Sequence, residues 1–174
     1  MPAKVQWTAC GASRVGRKGI GFAAVSAARP RAKVVAVPVT PKLTVDVIIE
    51  LTDHPRRPIV VIERKYPPLG FALPGGFVDV GETVERAAIR EALEETGLVI
   101  HLGQLLGVYS DPARDARLHA VSVVFMATAV GEPVAADDAQ AILLVDPCHP
   151  PVMAFDHGKI LQDYLSCRQK QVTE

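Results

Sequence analysis

Cysteine is scarce in this chain: Cys10, Cys148 and Cys167 are the three in 174 residues, and no two form a C-x-x-C pair. That spacing excludes a zinc ribbon or a dithiol redox motif, and the sparse, odd count suits a reducing compartment. No apolar run approaches the ~18 residues of a membrane-spanning helix. Internal repeats and low-complexity tracts are missing too, so a repeat architecture is excluded. Acid is absent from residues 1–45, which hold eight bases; residues 46–174 carry nineteen acids against eleven bases. An acidic body argues against nucleic acid as a partner.

The acid-free stretch divides the chain. Residues 1–42 read as a basic, poorly ordered extension, with the run at 34–39 as an optional edge strand. Its Arg-rich composition also fits an organellar transit peptide; otherwise the expected location is the cytoplasm. Residues 43–170 read as one folded domain. Strands are expected at 44–51 and 59–64, paired as a hairpin around the Pro55 and Pro58 breakers. A Pro- and Gly-rich irregular segment follows at 65–76. A helix starts after Thr83 as N-cap and stops at Gly97. Residues 99–110 read as a strand pair or one bent strand, 120–130 as a central strand, and 142–146 as a short strand or helix edge. An amphipathic helix at 155–167 turns Ile160, Leu161, Tyr164 and Leu165 inward. Strands flanked by two helices predict an α/β/α sandwich around a central mixed β-sheet.

The informative stretch is GFVDVGETVERAAIREALEETGL, residues 76–98. On a helical projection with Val84 at zero, Glu94, Glu91 and Glu95 fall at about 280°, 340° and 20°, while Ile89 and Leu93 fall at about 140° and 180°. Like charges at i,i+4 destabilise a bare helix by roughly 0.2–0.5 kcal/mol, so this acidic face calls for a cation. Hard carboxylate oxygens select Mg²⁺ or Mn²⁺. No His or Cys lies in the stretch to favour zinc. Arg90 and Glu94 stand at i,i+4 and can pair. Gly75 and Gly76 let the backbone, and a carbonyl ligand with it, approach a metal closely.

Gly76, Glu82, Arg90, Glu91, Ala92, Glu94, Glu95, Gly97 and Leu98 fill every position of a pattern that resembles the Nudix hydrolase signature. The resemblance implies hydrolysis of the pyrophosphate bond of a nucleoside diphosphate derivative, under two to three Mg²⁺ or Mn²⁺ ions. It implies Glu91 and Glu95 as the firmest metal ligands, then Glu94 and the Gly75 carbonyl. Glu82 and Arg90 would organise the loop and helix. The general base is open among Glu94, Glu132 and the pair Asp137 and Asp138, with the pair preferred. Residues 109–119 are similar to a segment of the ADP-ribose pyrophosphatase branch, where a proline lies about fifteen residues past the signature; here that proline is Pro112. On that likeness Arg114, Arg117 and Arg64 become the substrate-binding candidates, by bidentate contact with a diphosphate. The expected reaction converts ADP-ribose to AMP and ribose 5-phosphate. Clean-up of oxidised nucleoside triphosphates, hydrolysis of NADH or dinucleotide polyphosphates, and a non-catalytic ligand sensor are the alternatives. The resemblance also implies a homodimer.

Overall fold

The computed structural model describes residues 38–135 and 139–173. Residues 34–37 of the optional edge strand, and Asp137 and Asp138, lie outside the described residues. Among the described residues, seven strands form one mixed sheet: β1 (Lys42–Leu51), β2 (Ile59–Arg64), β3 (Phe71–Ala72), β4 (Gly75–Phe77), β5 (His101–Tyr109), β6 (Ala120–Ala129) and β7 (Ala139–Val145). Helix α1 (Val84–Thr96) follows β4, and α2 (His157–Thr173) closes the domain. No described helix is long and apolar enough to cross a membrane.

β1 is the axis. It pairs in parallel with β6 along its whole length, from Lys42 opposite Ala120 to Leu51 opposite Ala129. A strand buried on both faces reads as a nearly continuous apolar run, and TVDVIIEL is one. Val45, Val47, Ile49 and Leu51 pack toward Ala87, Ala88 and Ala92 of α1. Ile48 faces the other layer, with Ile160, Leu161 and Tyr164 of α2. The sandwich therefore has a core on each side of the sheet.

On its other edge β1 has two partners. Near its end Glu50 stands opposite Ile59, the expected hairpin contact. Near its start Thr44, Val45 and Asp46 stand opposite Phe77, Gly76 and Gly75. Between them the amide of Val47 donates to the Pro74 carbonyl at 2.8 Å. β2 leaves β1 after one pair and runs between β3 and β7, and the gap is where the Gly75–Gly76 turn enters. The segment at 65–76 thus contains two short strands that its prolines and glycines conceal. Residues 101–109 form one bent strand, with register shifts against β6. Residues 139–145 form a strand on β2.

The packed side of α1 is the acidic side. Ala87, Ala88, Ala92 and Thr96 are buried, whereas Ile89 and Leu93 are 42% and 48% exposed. Apolar size does not mark the core here. The small side chains let the helix lie close to β1, and close approach brings the carboxylates to the sheet.

Candidate active site

Both ends of α1 are fixed locally. Thr83 Oγ1 accepts from the Arg86 amide at 3.3 Å, and Gly97, at φ 68°, donates its amide to the Leu93 carbonyl at 2.9 Å. Before the helix, residues 77–82 are tied down by Arg90. Its Nε and Nη2 donate to Glu82 at 3.0 and 2.9 Å, Nη2 to the Phe77 carbonyl at 3.0 Å, and Nη1 to Glu91 at 2.8 Å and Glu94 at 3.0 Å. Arg90 holds Glu82 below its ordinary pKa, chiefly through these hydrogen bonds, and is itself raised by them. Glu82 also accepts from the Asp79 amide at 3.2 Å. It organises the loop, as its place in the signature implies.

Glu91 and Glu95 face the glycine turn. Glu95 Oε2 accepts from the Gly75 amide at 2.8 Å. A Cβ on Gly76 would lie 2.5 Å from the Glu91 carboxyl carbon, and one on Gly75 would meet the Val45 carbonyl and lie 2.8 Å from Asp46 Cα. Gly75 is therefore required by close approach of backbone, whereas a Cβ at Gly76 would displace the Glu91 carboxylate. Burial raises the Glu91 carboxyl despite Arg90. Burial pushes Glu95 to about 7, with Glu91 and Asp46 adding and the Gly75 amide and Arg64 opposing. Two carboxylates raised this way, chiefly by burial, are ones a bound divalent cation would stabilise in their charged form. The donors present are all hard oxygens, so the set fits Mg²⁺ or Mn²⁺. No three His, Cys, Asp or Glu side chains among the described residues are gathered as a metal cage.

A cavity of about 220 Å³ opens beside the turn, walled by Gly75 and Gly76, Asp46, Arg64, Arg117 and Phe155. Arg114 also borders it, but its side chain is 5% exposed and is held by Asp156, with Nη2 at 2.9 Å from Oδ1, and by Asp46 at 3.5 Å. Arg117 is about half exposed and pairs with Asp115 at 2.8 Å. Arg64 donates Nε to the Pro68 carbonyl at 2.8 Å. The guanidinium carbons of Arg64 and Arg117 lie 4.7 and 5.3 Å from the Phe155 ring centroid. Their mutual repulsion, after burial, lowers the pKa of Arg64. Pro112 lies elsewhere, at the start of the 3₁₀ turn Pro112–Arg114, on a groove of about 890 Å³ between β5 and α2 that touches no signature carboxylate. Glu132 is exposed and pairs with His54 at 3.2 Å.

Two participants were not singled out in the sequence. Asp46 is buried at the turn, where it accepts from Ser122 Oγ and lies 3.5 Å from His157 Nε2. The Leu73 amide donates to His157 Nδ1 at 2.9 Å, which puts the ring proton on Nε2, toward Asp46. Burial alone would raise Asp46; His157, Ser122 and Arg114 outweigh it and hold the carboxyl below its ordinary value. Phe155 sits at φ 55°, unusual for a bulky side chain. The one signal for Asp46 was a charge, as at Glu50, inside a mostly apolar strand. Phe155 gave none.

This arrangement, an acidic helix closed onto a double-glycine turn within an α/β/α sandwich, defines the Nudix class. The NUDIX domain model matches residues 40–164, and the chain belongs to that family. It is a Nudix pyrophosphohydrolase. The chain is 48% identical over 128 residues to an ADP-ribose pyrophosphatase of Methanocaldococcus jannaschii, covering 72% of this chain and 73% of that one. It is 40% identical over 103 residues to a putative 8-oxo-dGTP diphosphatase of Bacillus subtilis, covering 58% and 66%. Among solved structures it resembles a bifunctional NMN adenylyltransferase/ADP ribose pyrophosphatase from Francisella tularensis, complexed with AMP and a Mn ion. The TM-score is 0.64 at 28% identity, over 75% of this chain and 43% of that chain.

Proposed function

We propose that the protein hydrolyses the pyrophosphate bond of ADP-ribose to give AMP and ribose 5-phosphate. The observation that carries this reading is one cavity walled by the Gly75–Gly76 turn, whose Gly75 amide is bound by Glu95, and by the Arg64–Arg117 pair on Phe155. The 48% identity to an ADP-ribose pyrophosphatase supports it. Glu91, Glu95, Glu94 and the Gly75 carbonyl would hold two to three Mg²⁺ or Mn²⁺ ions, with waters and phosphate oxygens completing the shells. Bound there, the ions would polarise phosphoryl oxygens and lower the pKa of the attacking water. Arg64 and Arg117 bind the diphosphate by charge-assisted hydrogen bonds. Arg90 and Glu82 keep the loop and the carboxylates in place. The proton of the attacking water goes to a base from the 131–139 segment, Asp137 or Asp138, or to Glu94. We assign the activity to residues 43–170, in a cytoplasmic homodimer.

The test is a substrate panel: ADP-ribose, NADH, diadenosine polyphosphates, nucleotide sugars and oxidised dNTPs, with Mg²⁺ and with Mn²⁺, read by released product. ADP-ribose should give the highest kcat/KM. The Bacillus relative supports a second reading, oxidised-nucleotide clean-up, and preferred turnover of an oxidised dNTP would replace the first reading with it. Size-exclusion chromatography with light scattering checks the dimer.

A further inference from the structure

Asp46 and Glu50 are four residues apart on β1, about 13 Å, on the face toward α2. Each is a buried carboxylate met by an arginine from a loop and a side chain of α2, but the two ends differ in charge balance. At Asp46, Arg114 is buried and also paired with Asp156. At Glu50, two arginines share one carboxylate. Arg57 Nη2 lies 2.7 Å from Oε2 and Arg168 Nε 3.6 Å from Oε1, which also accepts the Tyr164 hydroxyl. Arg57 and Arg168 are 48% and 34% exposed. The first end is a closed network. The second carries excess positive charge, and the rest of both guanidinium forks has no carboxylate partner among the described residues.

Those forks border a cavity of about 370 Å³, with Leu102, Met126 and Ala127 as its apolar part and His101 and Gln104 alongside. Two backbone irregularities converge on it. Arg56 and Arg57 are consecutive non-glycine residues at positive φ, 67° and 49°, a strain that persists only where surroundings impose it. Across the cavity β5 bulges against β6 between Leu102 and Leu105, a device that re-aims strand ends beside binding sites. Gly103 sits in the bulge, where a Cβ would lie 2.9 Å from the Met126 carbonyl oxygen.

We propose that this cavity is a second ligand site, separate from the catalytic one, which binds the phosphate group of inorganic phosphate or of a phosphate monoester between Arg57 and Arg168. Two guanidinium forks match phosphate oxygens bidentately. The apolar part accepts the body of a monoester. The site does not depend on which substrate the catalytic cavity takes.

The full chain has three methionines, Met1, Met126 and Met153, so ¹³C-methyl-methionine NMR reads the site directly. Inorganic phosphate is titrated into metal-free protein. The Met126 methyl should move saturably, while Met153, outside the cavity, stays in place. Arg57→Gln and Arg168→Gln should each weaken the effect about tenfold, with turnover of the preferred substrate unchanged. AMP and ribose 5-phosphate form the second arm: tighter binding than phosphate identifies a monoester site, and equal binding a free-phosphate site. Thermal melts monitor folding, and Arg168→Gln carries the test if Arg57→Gln unfolds. A Met126 methyl unmoved at tens of millimolar phosphate, or one that moves equally in both variants, overturns the proposal.

Discussion

Glu95 Oε2 and the amide of Gly75 are joined by a 2.8 Å hydrogen bond, which ties the last turn of α1 to the start of β4. A glutamine at 95 can still accept that bond, so Glu95→Gln should fold while losing the charge proposed to bind metal. Turnover should fall by more than about 100-fold, the upper end for losing an outer partner of a metal ligand. Glu91→Gln should behave likewise. Near-normal turnover at saturating Mg²⁺, with an unchanged melt, would remove these residues from the metal site.

The same carboxyl predicts a pH dependence. Burial places Glu95 at about 7 against an ordinary 4.5. The folded pKa is the higher one, so the folded state keeps a proton that the unfolded chain loses in this interval. The resulting stabilisation is present below pH 4.5 and disappears as pH rises through 7, a change of roughly 3 kcal/mol at most. Glu91, also raised, acts in the same direction. In EDTA the melting temperature should therefore drop between pH 5 and 8. Glu95→Gln should flatten the profile, and so should Mg²⁺, because metal binding displaces the proton. A flat wild-type profile in EDTA contradicts the assignment.

Gly76→Ala places a methyl group against the Glu91 carboxylate. The end of a side chain can move aside, so the fold should survive while the Glu91 carboxylate is displaced. A misplacement near 1 Å lowers rate about 100-fold. Gly75→Ala strikes the backbone of Val45 and Asp46 instead and should lower the melting temperature. Comparing kcat and melts for the two variants separates the effects.

Arg114 was expected to contact substrate, yet its guanidinium is buried between Asp156 and Asp46. Removing one partner of a buried ion pair destabilises by about 3–5 kcal/mol. Arg114→Ala should be read mainly in denaturant melts. A selective rise in KM with unchanged stability would return Arg114 to the substrate site.

Phe155 holds the two remaining arginines by ring contacts, each worth about 0.5–1 kcal/mol. Phe155→Leu should raise KM for ADP-ribose about five- to tenfold with little change in kcat, and Phe155→Tyr should restore it. An unchanged KM in the leucine variant excludes this role.

The sequence alone determined the acidic helix, its Thr83 and Gly97 caps, the Arg90–Glu94 pair, the buried run of β1 and the layered fold, because each is written in contiguous residues with a fixed period or turn chemistry. It left open which side of α1 packs, and there alanine rather than Ile89 or Leu93 meets the sheet. Only the tertiary structure decided that Arg114 is enclosed while Arg64 and Arg117 stay open, that Phe155 joins them, and that Asp46 and Glu50 anchor opposite ends of one strand face. Those roles depend on which side chains burial leaves without partners. Burial is set by contacts between residues as far apart as Asp46 and His157, which no local pattern records.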